Sequence, residues 1–205
     1  FNPYRSAMQV YYDKTSDEIE DTDNEAMRQG REMEEYVARR FTEETGKKVR
    51  RANAMFYDEK NPFMLADVDR MVVGENAGLE CKTASPFMAE YWSGDKIPLS
   101  YQMQCYHYMS VCNADAWYVA VLIYGREFKV YKLERDEEII SLYQQGVPKK
   151  EIARRFSISS EMSMSGIDEV PKNFFIQLLC QPVLLSVSSS GFPQHKHFIS
   201  VPPLC

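Results

Sequence analysis

Cysteine is sparse and never falls in a C-x-x-C pair: there are five, at positions 81, 105, 112, 180 and 205. That spacing excludes a zinc ribbon, and the odd total argues for reduced thiols over a disulfide framework. No apolar run reaches membrane-spanning length and no signal peptide opens the chain, so a cytoplasmic protein without membrane contact is expected. Positive charge is also short: 24 Lys and Arg stand against 30 Asp and Glu, a net charge of −6. A chain so balanced has no general affinity for nucleic acid, and DNA contact must come from a local basic patch or from bound metal. Position 1 holds Phe rather than Met, and the chain reads as one cut or numbered from inside a longer protein. What is present, 205 residues of which 44% are hydrophobic, suffices for one substantial core and a small appendage.

The stretch LADVDRMVVGENAGLECKTA, residues 65–84, organises the rest. Apolar-rich runs from Leu65 to Val73 and from Leu79 to Ala84 flank the turn formers Gly74 to Gly78, which predicts a β-hairpin. Glu80 and Lys82 are two apart, so the pleat points both to one face, with Asp69 about opposite them in the first strand. Two carboxylates can hold one or two divalent cations that clamp a phosphate and lower the pKa of a water, and a neighbouring lysine can orient or deprotonate that water. Oxygen ligands suit magnesium or manganese rather than zinc. The bare pattern also occurs on ordinary solvent-facing strands. It makes one geometric demand: pairing Val73 with Leu79 would send Asp69 to the wrong face. The site therefore requires a shifted register, such as Val73 opposite Gly78, or a bulge near Asp69.

Upstream, an Asn-Pro turn and a short apolar segment precede an acidic stretch, Asp13 to Asp23, read as an exposed loop. A helix is predicted from about Asn24 to Thr45, with Met33, Tyr36, Val37 and Phe41 on its apolar face and Gly46 as its stop. Glu34 shares that face. Arg39, Arg40, Lys47, Lys48, Arg50 and Arg51 form the one dense basic cluster, either a track for a DNA backbone or an ordinary solvated helix end. A strand follows over about 49–58. Beyond the hairpin come an aromatic loop, Ser85 to Pro98, and a helix from Leu99 to Asn113 that carries Gln104 and a structural His107. The apolar run AWYVAVLIY, from Ala116, reads as a strand covered on both faces, and Glu127 to Leu133 as its more exposed partner. The order helix, three strands, helix, two strands implies an α/β (α+β) fold with a restriction-endonuclease-like core, a central mixed sheet flanked by helices.

Six segments in this order resemble the phage lambda exonuclease and YqaJ-type viral recombinase family of the PD-(D/E)XK nuclease group. They are NPYRS at 2–6, GREMEEYVARRF at 30–41, TGKKV at 45–49, NPFMLADVDRMVVGENAGLECKT at 61–83, IPLSYQMQCYHYMSV at 97–111 and AWYVAVLIYGREFKVYKLERDEEII at 116–140. The resemblance implies a magnesium-dependent deoxyribonuclease, with manganese able to substitute, that digests one strand of linear duplex DNA from 5′ to 3′. It implies metal-binding carboxylates at Asp69 and Glu80, the carbonyl of Cys81 as a further ligand, Lys82 on the attacking water, Glu34 in the metal or water shell, and Gln104 beside the active site. Partners implied are double-stranded DNA ends, a single-strand annealing protein and further copies of the chain, as a trimer, in a bacterial host or its prophage. The family's usual segment before NPYRS lies upstream of Phe1. Alternatives on the same core are an endonuclease, a RecB-like nuclease, or a noncatalytic DNA-binding recombination protein.

The nuclease-like domain is thus expected over residues 1–140, with its N-terminus truncated. Residues 141–160 resemble the first two helices of a helix-turn-helix, or a helix pair capping the core. Residues 161–205 form an atypical tail, open to disorder: from Pro171 it holds five of the ten prolines and no acidic residue.

Overall fold

The computed structural model describes residues 24–156 and 197–201, with Met8, Tyr11, Tyr12 and Thr15 besides. The NPYRS segment, the expected acidic loop over 13–23 apart from Thr15, and most of the tail lie outside the described residues. Helix α1, Glu25–Thr45, begins where Asn24 accepts the Met27 amide at 3.0 Å, and ends at Gly46 with φ 72°.

Where one strand was expected over 49–58 there are two, β1 at Val49–Arg51 and β2 at Ala54–Asp58. Between them Asn53 takes φ 47°, a left-handed turn that asparagine tolerates and that sends the chain into a different sheet. The stretch expected as one strand from Leu65 to Val73 is likewise broken, into β3 at Leu65–Asp67 and β4 at Arg70–Val72, with Val68 and Asp69 at the bend. The chain continues through β5 at Ala77–Ala84, a 3-10 helix at Pro86–Trp92, α2 at Leu99–Cys112, β6 at Ala116–Ile123 and β7 at Glu127–Glu134. It then forms α3 at Glu137–Gln144, α4 at Lys149–Arg155 and β8 at His197–Val201.

The main sheet has the order β1-β4-β5-β6-β7, with β5 and β6 parallel and the other neighbours antiparallel. A smaller sheet has the order β3-β2-β8, in which β8, a piece of the tail, runs parallel to β2. The tail is therefore not without regular structure throughout.

Strand β6 is apolar along its length because both of its faces are covered. Trp117, Val119, Val121 and Ile123 join the cluster built with α2, while Ala116, Tyr118 and Ala120 meet Val37, Ala38 and Phe41 of α1. Two helices thus sandwich the sheet. Gly78 of β5 lies where the Trp117 indole crosses: a Cβ there would stand 2.3 Å from the ring, so only glycine admits the indole.

The aromatic loop is ordered by Trp92, which is buried, stacks on Tyr101 at 5.4 Å between centroids, and offers its carbonyl to Lys129 Nζ at 2.7 Å. His107 Nε2 lies 2.8 Å from the Leu65 carbonyl and ties α2 to β3, a structural role. Helix α3 belongs to the same body: Ile139, Ile140 and Tyr143 join the α2 cluster, and Gln144 donates to Ser110 Oγ at 2.8 Å. The boundary expected after residue 140 falls inside α3, whose buried apolar side chains Ile139, Ile140 and Tyr143 lie on both sides of it. Ile152 of α4 is buried in that cluster too.

Candidate active site

Strands β4 and β5 pair with Arg70 opposite Leu79 and Met71 opposite Gly78. One step further along this register Asp69 faces Glu80, so the three charged residues share a face as the chemistry demands. The register is shifted, by two residues more than in the example of Val73 opposite Gly78, and the strand also breaks at Val68-Asp69, beside the position where a bulge was the alternative. Because backbone pairing stops there, the Cys81 amide finds a side chain instead of a carbonyl: it donates to Asp69 Oδ2 at 2.7 Å.

Glu80 and Lys82 sit across from Val119 and Val121, on the face that α2 covers. Glu80 is only 3% exposed. Its Oε1 accepts from Lys82 Nζ and, at 2.9 Å, from Gln104 Nε2, whose other hydrogen reaches the Tyr108 hydroxyl at 2.7 Å. Glu80 Oε2 is buried with no hydrogen-bond partner among the described residues. Burial, and then the charge of Glu80, push the Asp69 carboxyl up to about 7. Burial works against the Lys82 ammonium, but the charge and hydrogen bond of Glu80, joined by Asp69, outweigh it and carry its pKa above the ordinary lysine value. The Lys82 ammonium also lies 4.9 Å from the Tyr101 ring centroid. With both carboxyls ionised the centre holds two negative charges against one positive, and Glu80 Oε2 has no described donor to offset its burial.

These residues fit a hard divalent cation. The donors are carboxylate oxygens, one of them orphaned and buried, and a net negative charge awaits compensation. Among the described residues no three or more His, Cys, Asp or Glu side chains come together as a metal cage. That suits magnesium, which takes one or two carboxylates and fills its remaining positions with water or phosphate. The Cys81 side chain turns to the α1 face, so only its main chain stands beside Asp69.

Glu34 was expected in the metal or water shell. Its Oε1 is engaged by the guanidinium of Arg70, a buried cation compensated by a carboxylate, and Glu34 lies near enough to help raise the Asp69 carboxyl. Arg70 itself escaped the sequence reading. Its side chain is 4% exposed, and it reaches Glu35 at 3.0 Å and the Asp69 carbonyl at 2.8 Å as well as Glu34. The signal was its alternation with Val72 on a strand, which places it on a buried face. The basic cluster is divided. Arg39 and Arg40 pair with Glu43 at 3.6 and 3.5 Å, Lys47 with Glu75, and Arg51 with Glu35 at 3.0 Å. Lys48 and Arg50 are exposed, with no carboxylate partner among the described residues.

Comparison with known proteins agrees with this architecture. Two crystal structures of the alkaline exonuclease LHK-Exo from Laribacter hongkongensis are similar. One covers 74% of this chain and 74% of its own at 18% identity and a TM-score of 0.55. The other, in complex with dAMP, covers 68% and 77% at 18% identity and 0.54. A phage-related exonuclease from Haemophilus somnus covers 73% and 78% at 13% identity and 0.55. At such identities the likeness is one of fold. In sequence, the uncharacterized protein YqaJ of Bacillus subtilis (strain 168) is 39% identical over 144 residues, which are 69% of this chain and 45% of that protein. The chain thus spans under half the length of that relative. The model of the YqaJ-like viral recombinase domain matches residues 1–115, more than half of the chain, and the chain belongs to that family.

Proposed function

We propose that the chain is a metal-dependent deoxyribonuclease that hydrolyses one strand of linear duplex DNA from its 5′ end, with Asp69, Glu80 and Lys82 as its centre. The observation that carries this reading is the buried Oε2 of Glu80, unpartnered among the described residues, beside a carboxyl driven up to about 7, an arrangement that costs stability unless a cation compensates it. Asp69 and Glu80 would hold magnesium or manganese, with the carbonyl of Cys81 as a further donor. When bound, the cation supplies Lewis acidity at the scissile phosphate and a lowered pKa for the attacking water. Lys82, kept as an ammonium by Glu80, donates hydrogen bonds that orient that water or a phosphate oxygen. Gln104 holds Glu80 Oε1, so that Oε2 is the oxygen left for the metal. Lys48 and Arg50, exposed beyond the end of α1, contact the DNA backbone, and the four paired cations of the cluster contribute a weaker field.

On this reading the substrate is a double-stranded DNA end, and the strand left behind passes to an annealing protein for recombination. The assembly is a homotrimer acting in the bacterial cytoplasm. Among the described residues no helix is long and apolar enough to cross a membrane. The solved exonucleases that share the fold support the exonuclease form over an endonuclease.

Digestion of linear, 5′-phosphorylated duplex is compared with the same DNA as a closed circle, each with magnesium, with chelator, and with Lys82→Ala. Loss of the linear form alone, abolished by chelator and by the substitution, is expected. Cutting of the circle moves the reading to an endonuclease. Binding without cleavage of either moves it to a noncatalytic recombination protein.

A further inference from the structure

A buried arginine is costly to desolvate and is retained where its five donors are used together. Arg70 uses its donors on the backbone at the sheet break and on two carboxylates of α1. Nη1 bonds the carbonyl of Asp69, its own neighbour in the chain, at 2.8 Å and engages Glu34 Oε1 of α1. Nη2 reaches Glu35 Oε2 of α1 at 3.0 Å, and Glu35 is steadied in turn by Arg51 of β1 at 3.0 Å. One planar group therefore joins α1 to the bend that presents Asp69, and through Glu35 it is linked to Arg51 of β1. On the far side of that bend the Asp69 carboxylate is fixed by only one described hydrogen bond, from the Cys81 amide.

We propose that Arg70 is a positioning residue of the acidic centre: it sets the direction of the Asp69 carboxylate by holding the Asp69 carbonyl, and it restrains Glu34 at the margin of the site. The inference rests on the reading of that centre as a cation-binding nuclease site. Lysine keeps the charge of Arg70 but presents a point donor in place of a fork, so it cannot hold the carbonyl and both carboxylates at once. Arg70→Lys therefore separates the geometry of the clamp from its charge.

The test uses the full 205-residue chain and two readouts. The first is the magnesium concentration at half-maximal thermal stabilisation, without DNA; the second is kcat and KM on linear duplex. Supporting groups behind a metal site typically change affinity or activity by roughly 10–100-fold. Arg70→Lys is expected to raise the magnesium midpoint and lower kcat by at least about tenfold on that scale, with KM for DNA little changed. Because Arg70 acts partly through Glu34, the double variant Arg70→Lys/Glu34→Gln is expected to lose less than the product of the single losses. A magnesium midpoint and kcat at parent levels in Arg70→Lys, with the parent active, overturn the clamp and leave the nuclease reading standing. Fully multiplicative losses in the double variant overturn the Glu34 arm. A parent that binds magnesium but cuts no DNA, with the midpoint still moved by Arg70→Lys, overturns the nuclease reading and supports the clamp. If Arg70→Lys and Arg70→Met both melt below the assay temperature, Arg70 is a folding residue and the proposal is overturned.

Discussion

Strands β5 and β6 are parallel neighbours of eight residues each at the middle of one sheet, with α1 over one face and α2 over the other. On β6 every position between Ala116 and Val121 is buried and none carries charge. On β5 the same alternation separates two purposes. Leu79 and Cys81 turn to the apolar cluster under α1, whereas Glu80 and Lys82 enter the α2 face, where β6 places Val119 and Val121. The charges gain nothing from that company. Among the described residues their polar partners are each other and Gln104, and an oxygen is left over. A strand selected for stability alone would resemble β6, so the cost borne by β5 points to chemistry.

Substitution tests the contrast directly. Asp69→Asn is expected to reduce DNA digestion on the order of 10³-fold by weakening the hold on the cation, measured as initial rate on linear duplex, without lowering the melting temperature. Asparagine still accepts the Cys81 amide and removes a carboxyl that is costly to ionise. The same change gives a pH signature. In the metal-free protein Asp69 moves from an ordinary 3.8 to about 7, so the folded state holds its proton more tightly than the unfolded chain does. The stability contributed by the protonated group is complete below about 4 and lost as pH rises through about 7. Melting temperature without magnesium should therefore fall between pH 5 and pH 8 in the parent and flatten in Asp69→Asn. A fall of equal size in both would remove Asp69 from the account.

The opposite result is expected on β6. Ile123→Ala, at a side chain with 0% exposure, should cost roughly 2–5 kcal/mol in denaturant unfolding, while kcat at a temperature where it stays folded remains near that of the parent. A specific loss of kcat there would erase the distinction between the strands. Gly78→Ala lies between the two. Its new methyl would meet the Trp117 ring, so about 1–3 kcal/mol of destabilisation is expected. A smaller loss of activity should accompany it, because Glu80 is two residues away on the same face. Calorimetry and initial rates on one sample would order the three variants.

Much of this was readable along the chain. Asn24 and Gly46 bound α1 because a cap and a left-handed stop act within a few residues of themselves. The unbroken apolar run of β6 announced a strand covered on both faces. Asp69, Glu80, Lys82 and Gln104 could be singled out, and they do gather around one buried carboxylate. The splits at Asn53 and at Val68-Asp69 were not readable, because alternation reports that a stretch is extended and not which sheet it joins. Nor was the partnership of Arg70 with Glu34, some 36 residues apart.

The sequence by itself determined the element types, the family and the identity of the charged residues, since periodicity, capping and motif order are local properties of the chain. The tertiary structure alone decided the β4–β5 register that turns Asp69 toward Glu80, the burial that drives its carboxyl up, and the guanidinium that engages Glu34. Those depend on how separated segments exclude water from one another, and packing sets that phase once the sheet and helices have closed.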